Sequence, residues 1–427
     1  MKTKQHTHNF PLMVIGQIIS ILGASILRFA LDTYILDVTG RADIFALLLA
    51  VSTIPGILLS PIGGAIADRF DRRNLMIIFD FTSSLIVLIF SLLLSSGKAT
   101  IVIIGAVMML LNLISSMYQP AVQASIPQLV EANQLEKANG IVNGIGSLSN
   151  LAGPVLGGVL YSIVGIQILV IFTCTTFFLS AILELFLHIP FEQRVWNASI
   201  VKVISSDMKE GFGFIMKKNP FIRKTVMIAT GMNLFLTPFF LVGTPYIMRI
   251  LLQSNDVLYG TALGIIQFSS IAGALSVALV AKKLQISQLY KWLLGICIIM
   301  LPMAFSISPS MLHAGYMPVF VTFFACAIPI IMIITMLSVY FISVVQKHTP
   351  NLIMGKVMAI IMAVAQCAAP IGQLLYGQLF EHYQGDAYIV VLIMLISVIL
   401  LAMIAKKFLK NEGGPARDKS HLEERLA

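Results

Sequence analysis

The sequence predicts an all-α integral membrane protein of about twelve transmembrane helices, arranged as two six-helix bundles related by internal duplication. Three observations carry that prediction. Of the 427 residues 58% are hydrophobic and only 11% charged, with mean hydropathy +0.93, whereas a soluble domain is about 25% charged. Such a chain cannot hide its apolar surface in a water-soluble core. About twelve stretches reach the length a spanning helix needs, roughly 20 mostly apolar residues. Landmarks also recur at half length. Lys282-Lys283 follow the eighth stretch as Asp68-Arg69 follow the second, 214 residues apart (282 less 68), and Ala369-Pro370 matches Gly153-Pro154 at 216 (369 less 153). Duplicating an even number of spans keeps both halves in one orientation.

Residues 1–190 hold the first six spans. The first, near 11–37, is too long for a signal peptide, lacks a small-residue cleavage site and leads into further spans, so it is read as retained. The second and third, near 43–67 and 75–95, flank the charged knot Asp68-Arg69-Phe70-Asp71-Arg72-Arg73. That knot must lie at a membrane surface, and the small residues Gly63, Gly64, Ala65 and Ala67 before it let two helices approach closely. The fourth span, 100–125, contains Asn112; the fifth, 137–162, contains Gly153-Pro154-Val155-Leu156-Gly157-Gly158; the sixth, 166–189, contains Glu184. Residues 191–221 are the only long polar segment before the tail and read as a cytoplasmic linker, partly amphipathic and lying on the membrane surface. The second bundle, 222–410, places spans near 222–251, 257–281, 290–308, 315–345, 354–380 and 386–408. The tail, 411–427, carries Gly413, Gly414, Pro415 and mixed charge, and reads as disordered.

A net charge of +9 would suggest nucleic acid in a soluble protein. Here the basic residues cluster in alternate connections, among them Arg69, Arg72, Arg73, the linker lysines, Lys282, Lys283, Lys406 and Lys407. The intervening connections carry only Arg41, Lys98 and Arg249, so both termini and the linker are expected in the cytoplasm. The partners expected are a lipid bilayer, a small molecule and protons, with no nucleic acid and a monomeric chain. Cys174, Cys297, Cys326 and Cys367 fall inside spans with no paired spacing and read as buried free thiols. No metal cluster, cofactor motif or catalytic constellation is visible. The chain has no Gly-x-x-x-x-Gly-Lys-Ser/Thr string, so energy must come from an ion gradient or from the substrate's own gradient.

Ionisable residues inside hydrocarbon cost roughly 2.5–3.5 kcal/mol each on insertion scales, which makes each a functional candidate. Arg28 and Asp32 stand four apart on one face of the first span, where a neutralising pair can form. Two readings stand at nearly equal weight, a structural ion pair and a proton site in which Asp32 changes protonation with conformation and releases Arg28. On the second, Asp32→Asn abolishes pH-driven export and neutralising Glu184 does less damage. Glu184 and Asp80 are expected as interfacial groups or as partners for the loop arginines. Asn112, Asn143, Asn150, Asn233, Gln267 and Gln366 are candidate cavity residues, most of them expected to make interhelical hydrogen bonds.

The knot, with Gly64, Asp68-Arg69 four residues on and then Arg72-Arg73, resembles the loop between the second and third helices of the major facilitator superfamily, Asp71 standing where that family usually has a second glycine. The Gly153-to-Gly158 string resembles the antiporter motif of its proton-driven exporters, with Ser149 in place of a usual glycine. Tyr118-Gln119-Pro120-Ala121 and Ile126-Pro127-Gln128-Leu129-Val130 look like the macrolide-efflux and multidrug-exporter branch. The resemblance implies a bacterial cytoplasmic-membrane exporter of an amphipathic, drug-like compound, working by proton antiport and alternating access. Export of a siderophore or another metabolite is the alternative; a membrane-embedded lipid enzyme is disfavoured by the repeat and the missing catalytic cluster. Drug–proton antiporters often carry an arginine in the fourth span, where this chain offers only Asn112. The resemblance also implies that Gly153 and Gly157 pack against the eighth span, ordinary tight packing being the bland reading. It further implies that Gly64, Asp68, Arg69, Arg72, Arg73, Gly153, Pro154, Gly157 and Gly158 govern the conformational change, with Asp68 capping the eleventh span near Gly355. Asp68→Asn is therefore expected to insert normally, transport poorly and shift accessibility toward the inward-facing state; wild-type transport by that variant would contradict it.

Overall fold

A computed structural model describes residues 3–189, 209, 212–280, 284–350 and 353–409. Most of the linker and the whole 411–427 tail lie outside the described residues. Among the described residues eleven helices are long and apolar enough to cross a membrane. They are α1 (Thr3–Thr39), α2 (Ala42–Arg69), α3 (Arg72–Ser95), α4 (Ile101–Leu129), α5 (Leu135–Leu185), α6 (Pro220–Leu251), α7 (Asp256–Val280), α8 (Leu289–Ser306), α9 (Tyr316–His348), α10 (Met354–His382) and α11 (Ala387–Leu409). The 51-residue α5 supplies two of the expected spans. Its limbs meet at Gly165, whose φ of 71° and ψ of 175° no helix contains, and glycine takes that positive φ without a Cβ penalty. The fifth and sixth expected spans are thus joined by one residue in place of a loop.

The described residues fall into two compact units, one drawn from 1–40, 51–200 and 253–264, the other from 41–50, 201–252 and 265–427. In the first, α1 lies against α5, and α3 against α4 and α5. Lipid tails give apolar helices no drive to associate, so contact rests on close packing and interhelical hydrogen bonds. Both are present. Gly23 faces Thr176, and Gly63 leaves 3.1 Å between a hypothetical Cβ and the Ser116 carbonyl. Ser84 Oγ donates to Cys174 O at 3.1 Å and Gln167 Nε2 to Ser95 Oγ at 2.7 Å, tying α3 to the second limb of α5.

In the second unit the widened turns Phe239–Gly243 and Ile247–Leu251 interrupt α6. Tyr376 of α10 donates to the Phe235 carbonyl at 2.6 Å, among Phe239, Tyr246 and Phe380. The first residues of α2 also belong to this unit. Arg41 pairs with Asp43 at 2.6 Å and with Glu381 at 3.7 Å, while Gly377 abuts Ala46. Of the four cysteines, all free, Cys367 is exposed, against the expectation that every thiol is buried; position along a span does not say which face a residue takes.

Candidate functional site

The charged knot is built by local rules. Asp71 caps α3, accepting from Arg73 N at 3.0 Å, which gives a physical reason for an aspartate where the resembling family has glycine. Arg72 Nε donates to the Ala67 carbonyl at 3.1 Å, and Arg73 donates to the Leu185 carbonyl at the end of α5. The side chain of Asp68 lies outside the described residues. Gly64 has open space beside it among the described residues, and the close helix approach is made by Gly63.

The Gly-Pro string presents two faces. Gly153 meets Ser25 and Gly157 meets Phe29, both on α1, while Gly158 meets the Asp256 carbonyl and Gly260 on α7. A Cβ on Gly260 would in turn run into the Pro154 carbonyl. The expected contact with the eighth span is thereby corrected: Pro154 and Gly158 make it, one position round the helix from Gly153 and Gly157.

A cavity of about 270 Å³ opens within the first unit. Its apolar wall includes Leu27, Leu31, Met108 and Phe177, and its polar wall Arg28, Asp80, Asn112, Tyr118 and Asn150. Asn112 is anchored by a 3.0 Å bond to the Met108 carbonyl. Arg28 is exposed and forms no ion pair with Asp32. Asp32 does not line this cavity, and its Oδ1 is buried without a hydrogen-bond partner. Asn143, though exposed, stands outside the cavity wall. Asn233, bonded to the Ala229 carbonyl at 3.1 Å, belongs to the second unit with Gln267 and Gln366.

Asp80 and Glu184 are only 2% and 1% exposed. Asp80 Oδ1 accepts from Ser20 Oγ at 2.9 Å, and Glu184 Oε1 accepts from Tyr118 Oη at 2.8 Å. They are interior groups and bond no loop arginine, contrary to the interfacial expectation. The reason is geometric, since Asp80 sits two turns into α3 and Glu184 faces α1, where a Cβ on Gly16 would lie 3.8 Å from its Cγ. Sequence reasoning missed Tyr118 and Ser20 as partners of these carboxylates. A tyrosine or serine in a span carries no charge cost to betray it. No group of three or more metal-ligating side chains occurs among the described residues.

A family model described as the Major Facilitator Superfamily matches residues 13–373. Macrolide efflux protein A of Streptococcus pyogenes is 25% identical over 148 residues, covering 35% of this chain and 36% of that protein. The MFS-type transporter YfiS of Bacillus subtilis (strain 168) is 27% identical over 185 residues, 43% of each chain. The matched stretches thus span less than half the length of these relatives. Among solved structures, a bacterial homologue of the iron transporter ferroportin in its inward-facing state superposes with a TM-score of 0.72 at 14% identity, over 95% of this chain and 99% of that one. At that identity the likeness is one of fold.

Proposed function

The chain belongs to the Major Facilitator Superfamily, whose model matches residues 13–373 of its 427, and from that membership we propose that it exports an amphipathic small molecule across a bacterial cytoplasmic membrane by proton antiport. It is a multi-pass membrane transporter and not an enzyme. The proposed working cycle is alternating access, with both termini in the cytoplasm, a single chain as the functional unit, and the knot and the Gly-Pro string governing the change of state. The observation that carries the reading is the cavity of the first unit. Apolar side chains form one wall, and a cation, a carboxylate and three amides stand on the other. A compound with a greasy body and a polar or charged end fits such a lining. Kinship with macrolide efflux protein A over part of the chain supports export as the direction.

A second reading draws on Arg28. A guanidinium on the cavity wall that is not paired with Asp32 suits an acidic substrate, so a siderophore or another secreted metabolite is the alternative cargo. A host lacking its own exporters, expressing this chain and challenged with macrolides, cationic dyes and siderophore precursors, separates the two. Raised tolerance to macrolides or dyes is the expected result. Enhanced secretion of an acidic metabolite with no gain in tolerance would favour the alternative, and no change in either would contradict export.

The proton-coupling candidates are Asp32, Arg28, Asp80 and Glu184. An exchangeable proton must reach its carboxylate from water, and Asp80 is the acidic member of the set that lines the cavity. The weight of the coupling role therefore moves from Asp32 to Asp80 and its neighbour.

A further inference from the structure

Two rows of carboxamides run along the first unit, one on α4 and one on the first limb of α5. Asn112, Gln119 and Gln123 follow one another at spacings of seven and four residues, with Ser115 between the first two; Asn139, Asn143 and Asn150 follow at four and seven, with Gly146 between the last two. Each row therefore keeps to one helical face. Gln119, Gln123, Asn139, Asn143 and Asn150 are exposed and Asn112 is half-buried, whereas Val122 and Ser125 on α4, and Ala138, Val142 and Ser149 on α5, are buried. Nothing lies within 4 Å of a Cβ built on Gly140, Gly144 or Gly146, so the space around Asn143 is open.

An amide that leaves water without a hydrogen-bond partner is costly, so a row of exposed carboxamides does not face lipid tails. It borders water. The other side of α5 has the opposite chemistry: Leu148, two residues before Asn150 and hence across the helix from it, is 63% exposed and apolar. From Gln123 to Asn112, as from Asn139 to Asn150, the helix rises about 16 Å, roughly half of the 30 Å hydrocarbon thickness. The rows are long enough to lead from a membrane surface to mid-depth. At the deep end Asn112, Gln119 and Asn150 line the cavity; at the other end α4 and α5 are joined through residues 130–134, cytoplasmic on the expected topology.

We propose that these two rows form an entry track, a binding surface outside the cavity that takes the uncharged, hydrogen-bonding end of an amphipathic cargo and passes it from the cytoplasmic surface to the cavity; the proposal rests on the export reading above. Neither α4 nor residues 139–150 contain a charged side chain. An amide both donates and accepts, so it holds hydroxyl, ether, carbonyl or amine groups alike. Asn112 and Asn139 each use one N–H on a carbonyl of their own helix, Met108 at 3.0 Å and Leu135 at 2.9 Å, and keep an oxygen and a second N–H for cargo. A fixed charge along the way would hold one sign of cargo and repel the other. Discrimination by charge is left to Arg28, inside the cavity.

The test uses the full-length chain in inverted membrane vesicles and a membrane-impermeant maleimide, which reacts with thiols only where water reaches them. Asn143→Cys and Gln123→Cys should label many times faster than Leu148→Cys, once labelling of the chain with only its four native cysteines is subtracted. Erythromycin added beforehand should slow labelling at both positions. In uptake assays Asn143→Leu and Gln119→Leu should raise the half-saturating erythromycin concentration about two- to tenfold, the worth of one neutral hydrogen bond, with little change in maximum rate, and Asn143→Gln should restore it. Labelling at Asn143→Cys and Gln123→Cys no faster than at Leu148→Cys would overturn the proposal, because the face would be sealed by packing or by lipid. So would rapid labelling that erythromycin does not slow while the vesicles still accumulate it, which would make the rows a wetted wall with no affinity for cargo. Protection by erythromycin without its accumulation by the wild-type chain would instead sink the export reading and leave the binding track standing.

Discussion

Gly158→Leu is expected to abolish transport while the protein still reaches the membrane. A Cβ at this position meets the Asp256 carbonyl and Gly260, and a Cβ on Gly260 meets the Pro154 carbonyl. Both sides of the contact are backbone. No flexible side chain can swing aside, so α5 and α7 must separate. Overpacking in a closely fitted interior costs about 1–3 kcal/mol even where side chains yield, and here the whole helix must yield. Ethidium export by vesicles, set against the amount of inserted protein, reads the effect. Gly144→Ala is the comparison, because that glycine on the same helix has open space around it, and it should export within about twofold of wild type. Normal export by Gly158→Leu would show that the close approach has no part in the cycle.

Arg28→Gln is expected to change which compounds are carried more than how fast the chain works. The guanidinium stands on the cavity wall with no ion pair to Asp32. A hydrogen bond to a charged group contributes about 1.5–3 kcal/mol, and each 1.4 kcal/mol is about tenfold in affinity. An acidic cargo should therefore lose roughly ten- to hundredfold in apparent affinity. Ethidium and macrolides, which gain nothing from a cation, should be exported as well or better. Competition assays across a panel of anionic, neutral and cationic compounds read the difference. An equal loss for all charge types would place Arg28 in the packing of the bundle and not in recognition.

The spans were legible because an apolar run of sufficient length is written along one dimension of the sequence, and every expected stretch falls on a helix. What joins them was less so. Nothing in the composition near Gly165 separates a single left-handed residue from a short loop. The Gly-Pro string showed that close packing occurs on α5 but not on which side, since Gly157 and Gly158 differ by one residue and face different helices. Intramembrane carboxylates announce themselves by their cost, and Asp80 and Glu184 were visible as candidates on that ground. Their company was not. Tertiary packing brings Ser20 to Asp80 across 60 residues and Tyr118 to Glu184 across 66, and a single sequence carries no trace of which neutral polar residue meets which carboxylate. The same holds for Arg28 and Asp32. Spacing places them on one helical face, yet it cannot say that Arg28 opens onto a cavity whose wall Asp32 does not share.

The central claim is that this chain moves an amphipathic molecule outward in exchange for protons. Inverted membrane vesicles test it most directly, since export in the cell becomes uptake in the vesicle. Vesicles carrying the chain should accumulate ethidium or erythromycin against a gradient when their lumen is acidified, should lose that accumulation when a proton ionophore collapses the pH difference, and should show neither behaviour when the chain is absent. Accumulation that survives the ionophore, or none for any compound of the panel under an imposed pH difference, would contradict the account.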